Sequence, residues 1–176
     1  IGNPPTLQFM EWGFIPSWTN KNVQTPSRYI NARCETLHEK VTFKDSFRKR
    51  RCLIPASGYY EWKLIKNKKQ PFYLHAPEFP ILAFAVIWDS WKNSNFEIKE
   101  TVAIVTKSAD QFMDLQERSP IVIPSDFYAQ WLDPLTPLDS LLSLLLKTQP
   151  HFTSYPVSTR VNNPKFEDSS CLQSLV

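Results

Sequence analysis

A chain of 176 residues with 42% hydrophobic and 21% charged side chains carries enough apolar material for a packed core, which excludes a disordered chain. Its formal charge of +3 is mildly cationic and favours a polyanionic partner only weakly. Three cysteines without a C-x-x-C spacing exclude a disulfide framework and a thiolate zinc site, and no apolar run reaches the roughly 18 residues of a membrane span.

In chain order, Thr6 to Phe14 reads as a strand, followed by a loop through Pro16, Trp18 and the polar stretch Thr19 to Ser27. Glu35 to Lys40 and Phe43 to Arg50 have helix-forming composition. Lys44, Arg48, Lys49, Arg50 and Arg51 concentrate positive charge there, which suits either a solvated face or an anionic partner. Cys52 to Ile54 and Tyr59 to Ile65 read as strands, and the polar turn Lys66 to Gln70 joins the second to Pro71 to Ala76 as a hairpin.

Ile81 to Trp88 is nearly continuous apolar sequence, as a central strand buried on both faces requires, and Lys99 to Thr106 reads as another strand. Ala109 to Glu117 and Ser125 to Leu132 are expected as short helices, the second capped by Ser125. A leucine-dense helix over Leu138 to Lys147 precedes a closing strand, Thr153 to Val157, and a polar tail from Asn162. Strands with small helices between them predict an α+β fold, a curled and mainly antiparallel sheet or barrel with short peripheral helices. The first residues carry no basic and apolar leader, which places the protein in the cytoplasm, and the opening Ile1 implies residues ahead of it.

Glu61 stands among aromatics in the strand that follows Gly58. Alternation puts Tyr59, Glu61 and Lys63 on one face and Tyr60, Trp62 and Leu64 on the other, the expected core face. Glu61 is then either a solvated neighbour of Lys63 or a buried carboxyl whose pKa rises towards the range of a general acid or base. Cys52, on a strand, reads as a core thiol.

Asn31 and Arg33 suit either a structural turn or a polar site, since an amide can hold a reacting group and a guanidinium fork matches phosphate oxygens. Trp12 and Trp18 are core residues or stacking platforms for nucleobases. Cys34 and His38 lie four apart, but His75 and His151 have no ligand-spaced companions, so no metal is expected. No G-x-S-x-G elbow and no Gly-rich phosphate loop is present.

Seven ordered blocks point further. WGFIPSW (Trp12 to Trp18), INARCET (Ile30 to Thr36), RRCLIPASGYYEW (Arg50 to Trp62), PFYLHA (Pro71 to Ala76), AIVTKSAD (Ala103 to Asp110), ERSPIVI (Glu117 to Ile123) and YPVSTRVNNPK (Tyr155 to Lys165) follow one another across nearly the whole chain. Their order and spacing resemble the SOS response-associated peptidase (SRAP) family of abasic-site processing proteins.

The resemblance implies a single SRAP-like domain over residues 1–176, lacking the family's extreme N-terminal segment. It implies binding to single-stranded DNA in a basic cleft and covalent capture of abasic sites, with no cofactor, no metal and no membrane, by a monomer. The compartment is the cytoplasm, at the nucleoid in a bacterium, or the nucleus in a eukaryote. The family's nucleophile is a cysteine made N-terminal by removal of the initiator Met; its α-amine forms a Schiff base with the sugar aldehyde and its thiol closes a thiazolidine. The same cysteine is credited with autoproteolytic exposure. Glu61 matches the family's catalytic glutamate and Asn31 the asparagine that orients the cysteine and the sugar. Arg33 and Arg118 match phosphate-contacting arginines, Thr106 a residue lining the cleft, and Trp18 a tryptophan near displaced bases.

Two positions depart from the family. None of Cys34, Cys52 or Cys171 occupies the place of the N-terminal cysteine, and Gln116 stands where the family carries a histidine. Glutamine hydrogen-bonds but does not titrate near neutrality. The alternative to an abasic-site enzyme is therefore a non-catalytic single-strand or junction DNA-binding module on the same scaffold.

Overall fold

The computed structural model describes residues 6–24, 26–109, 117–147 and 149–175. The described strands are β1 (Glu11–Trp12), β2 (Asn31–Arg33), β3 (Arg51–Ala56), β4 (Tyr59–Ile65), β5 (Lys68–His75), β6 (Leu82–Lys92), β7 (Ile98–Ser108), β8 (Arg118–Pro120) and β9 (Thr153–Pro156). The helices are α1 (Lys44–Lys49), α2 (Tyr128–Leu132) and α3 (Leu138–Leu145). The fold is α+β, with curled sheet and short helices, as its strand-rich sequence predicts. Among the described residues no helix is long and apolar enough to cross a membrane.

The chain forms two compact units. The first comprises Ile1–Ile54, Ala83–Lys107 and Pro120–Thr148; the second comprises Pro55–Leu82, Ser108–Ser119 and Gln149–Val176. In the first, the sheet order is β1-β7-β6-β3, with β2 also on β7. β6 and β7 pair antiparallel from Val86↔Ile104 to Lys92↔Ile98. Both strands alternate apolar residues onto one face, where Ala85, Ile87, Ala103 and Val105 meet Phe47, Trp131, Leu141, Leu144 and Leu145 from the three helices. β6 is buried from Leu82 to Ile87 on both faces, which explains its unbroken apolar run. In α3 the predicted excess of leucines resolves by position: Leu141, Leu144 and Leu145 are buried, whereas Leu146, just past the helix, is exposed.

The predicted strand from Thr6 to Phe14 shrinks to Glu11–Trp12, because Leu7 and Phe9 find no apolar surface and stand exposed. Ser125 does not cap a helix. Pro124 takes the extended position ahead of a 3-10 turn over Ser125–Phe127, and α2 starts only at Tyr128. The helix expected from Ala109 to Glu117 falls mostly outside the described residues.

The basic segment is not one solvated face. Arg51 is buried and donates to the carbonyl oxygens of Phe47 and Trp131, each at 2.7 Å, and of Asp133. Its guanidinium thus ties the C-terminal end of α1 to the end of α2, accepting burial because three acceptors replace water. Arg50 pairs at 3.1 Å with the buried Asp89, which also accepts from the Ser17 amide at 2.8 Å. Lys40, Arg48 and Lys49 remain exposed.

In the second unit the sheet order is β4-β5-β9, antiparallel throughout. β4 and β5 are joined through Lys66 and Asn67, with φ of 47° and 62°. Two successive left-handed residues make a type I′ turn, whose twist matches that of the strands it joins. Ahead of β4, a Cβ at Gly58 would run into the Leu74 carbonyl and the Tyr73 ring, so only glycine lets the chain enter the strand here.

The face expected to be core, Tyr60, Trp62 and Leu64, is instead covered in part by the C-terminal residues. Tyr60 donates to the Cys171 carbonyl at 3.3 Å, Trp62 Nε1 to Asn162 Oδ1 at 2.7 Å, and Tyr155 to the Leu172 carbonyl at 2.8 Å. Leu64, beyond that cover, is 65% exposed. The tail itself folds into 3-10 turns at Thr159–Asn162 and Ser169–Leu172, capped by the side chains of Ser158 and Asp168.

Candidate functional site

In the first unit, β1 and β2 run parallel to β7 along the same edge. Trp12 lies opposite Val102, Asn31 opposite Ile104 and Arg33 opposite Thr106. Paired residues share a face, so Trp12, Asn31, Arg33, Ile104 and Thr106 project from the side opposite the helix-covered core. Ala32, between Asn31 and Arg33, is fully buried in that core and pins the strand, while Asn31 and Arg33 are exposed. Thr106 is 6% exposed beside Arg33.

Of the two readings open for Trp12, core residue or exposed ring, the exposed ring is the one observed. It is 58% exposed and its Nε1 donates to the Ile30 carbonyl at 2.8 Å, which fixes the ring just before Asn31. Between β1 and β2 the chain leaves β7 through Gly13, whose φ of +122° favours glycine and where a Cβ would press on the Arg28 side chain. Reciprocal amide–carbonyl bonds between Phe14 and Tyr29, 2.9 and 3.0 Å, close the neck of this loop. Trp18 sits on the loop and is 63% exposed, so its ring is offered to solvent as a stacking surface.

In the second unit Glu61 projects from β4 on the face it shares with Phe72 and Pro156. Its carboxyl is half-buried, and burial raises its pKa above the ordinary value; the Trp62 N–H that it accepts lowers it by less. Between the two readings open to alternation, the structure gives an intermediate, a half-buried carboxyl rather than a solvated neighbour of Lys63. Arg118 opens β8 and is half-buried. Gln116 lies outside the described residues.

Cys52 is a poor nucleophile by environment. Burial pushes the Cys52 thiol up to about 12. Cys34 packs against the helix-covered core, and Cys171 Sγ donates to the Phe166 carbonyl at 3.7 Å. Among the described residues no group of three His, Cys, Asp or Glu side chains is arranged to hold a metal ion.

Comparison with known proteins fixes the family, whose profile, SOS response associated peptidase (SRAP), matches residues 2–164. The chain belongs to the SRAP family. Among SRAP relatives, the abasic site processing protein YoaM of Bacillus subtilis is 34% identical over 98% of this chain and 78% of its own length. The abasic site processing protein HMCES of Xenopus tropicalis is 29% identical, covering 97% of this chain and 58% of its own. A Bacteroides thetaiotaomicron protein of solved structure superposes with a TM-score of 0.81 at 26% identity, over 95% of this chain and 76% of that one. The SRAP match accounts for the ordered sequence blocks that carry Asn31, Arg33 and Glu61.

Proposed function

We propose that this protein processes abasic sites in single-stranded DNA, capturing them through the N-terminal cysteine on which the family's chemistry rests. The observation that carries the reading is Asn31 and Arg33, held exposed on one face of a strand whose central Ala32 is locked in the core. An amide and a guanidinium fixed in this way recognise sugar and phosphate oxygens without reorganising. Family membership and the names of the curated relatives supply the kind of lesion.

In this reading the cysteine α-amine, with a pKa near 8, adds to the C1′ aldehyde of the open sugar to give a carbinolamine. Loss of one water leaves the Schiff base, and addition of the thiol across the imine closes the thiazolidine, so the net release is one water. Glu61 moves the proton that ring opening and water loss require, a task suited to a carboxyl whose burial raises its pKa. Arg33 and Arg118 hold phosphates, Thr106 lines the strand's path, and Trp18 stacks on a displaced base. Autoproteolytic exposure of the same cysteine is the accompanying peptidase activity.

Gln116 favours a second reading, a DNA-binding module that has lost turnover, because glutamine supplies no titrating group in place of the family histidine. The full-length protein incubated with an abasic oligonucleotide is expected to give a heat-stable adduct. Glu61→Gln is expected to slow adduct formation at least about 100-fold with normal-DNA affinity retained. Binding without any adduct would favour the second reading, and no binding at all would end both.

A further inference from the structure

The β4–β5 hairpin is a cationic ribbon. From Trp62 to Pro77 the sequence holds Lys63, Lys66, Lys68 and Lys69 and no Asp or Glu. Lys66, Lys68 and Lys69 are exposed, and among the described residues none of the four lysines makes an ion pair. Leu64 and Ile65, 65% and 41% exposed, leave apolar surface between the charges. The type I′ turn at Lys66 and Asn67 holds the tip in a fixed twist, so the charges are carried on regular backbone.

We propose that this hairpin is a second nucleic-acid contact, a sequence-independent grip on the phosphates of a DNA strand beyond the reacting nucleotide. The inference rests on the function proposed above and adds a surface to it. Five residues separate Glu61 from Lys66 along one extended strand, roughly 16 Å at about 3.3 Å per residue. That is a span of several nucleotides, so the tip meets phosphates distant from the chemistry. Four unpaired ammonium groups favour a polyanion, and Leu64 with Ile65 offers the apolar contact that sugars and bases accept. Another use for the lysines is protection of exposed strand edges, since β9 pairs β5 only from Phe72 to His75.

The test compares the full-length protein with K66Q/K68Q/K69Q on abasic single strands of about four and about twenty nucleotides. The variant is expected to bind the long strand at least about tenfold more weakly at low salt, with the log–log salt slope shallower by about 2. Adduct formation on the short strand is expected to be unchanged, and K66R/K68R/K69R is expected to restore the long-strand affinity and slope. An unchanged slope on the long strand overturns the hairpin contact while leaving the proposed function standing. So does a variant that aggregates but keeps its affinity, which would make the lysines edge guards. If the unmodified protein neither binds nor forms an adduct with either strand, both readings fall.

Discussion

Each of the two units is built on a different kind of interior. The first has an apolar interior in which Phe47, Trp131 and the buried leucines of α3 lie against alternate residues of β6 and β7, with Arg51 held by carbonyls. The second has a three-stranded sheet, one face of which is covered by tail residues held through single hydrogen bonds from Tyr60, Trp62 and Tyr155. Apolar burial fixes strands firmly, which suits the exposed pair Asn31 and Arg33. A polar cover is softer, and on the other face of the same sheet the Glu61 carboxyl stays in intermediate burial.

The contrast breaks most visibly at Arg51. Arg51→Ala strands three carbonyl acceptors inside the first unit, each worth about 1–3 kcal/mol when left unpaired, so a loss of about 3 kcal/mol or more is expected in urea denaturation. A change below about 1 kcal/mol would show that water satisfies those carbonyls.

A smaller effect belongs to the tail. Tyr155→Phe removes the bond to the Leu172 carbonyl and is expected to cost about 1 kcal/mol. Hydrogen exchange should then quicken at 157–175 while the amides of β6 and β7 keep their protection. Uniform quickening of both units would mean that the tail is part of one cooperative interior.

The smallest effect is one of sign. Burial raises the folded pKa of Glu61 above its unfolded value, so the folded protein holds that proton more tightly. The resulting stability is present below the ordinary carboxylate range and is lost as pH rises through the folded value. Glu61→Gln should therefore melt with the parent in acid and above it near neutrality; a difference independent of pH would place the carboxyl in solvent, and one of opposite sign would mean that a partner stabilises its charged form.

Much of this fold is legible from periodicity. The unbroken apolar run became β6, the polar turn after Ile65 became a hairpin, and the dense leucines became α3. Those signals survive because burial on both faces or on one stripe leaves a pattern in the residues themselves. The Trp62 face failed, since alternation reports that a face is apolar and not what covers it. Arg51 failed for the opposite reason: a buried cation is legible only when its carbonyl partners, eighty residues away at Trp131, are known. At the site, the chemistry of Asn31, Arg33 and Glu61 as isolated residues left structural readings open, and only the ordered blocks around them pointed to DNA.

The paired edge of β7 has a consequence for variation. Trp12 and Asn31 are nineteen residues apart in the chain, yet they meet β7 at Val102 and Ile104, skipping only Ala103. The loop carrying Trp18 is thus a detour with a closed neck, leaving and rejoining one track. Loop closure grows only logarithmically with length, about 0.6 kcal/mol per doubling. Insertions there can reshape what the protein touches while the alignment of Asn31 and Arg33 on β7 stays the same, which makes this loop the natural place for relatives, or a protein engineer, to write a new preference.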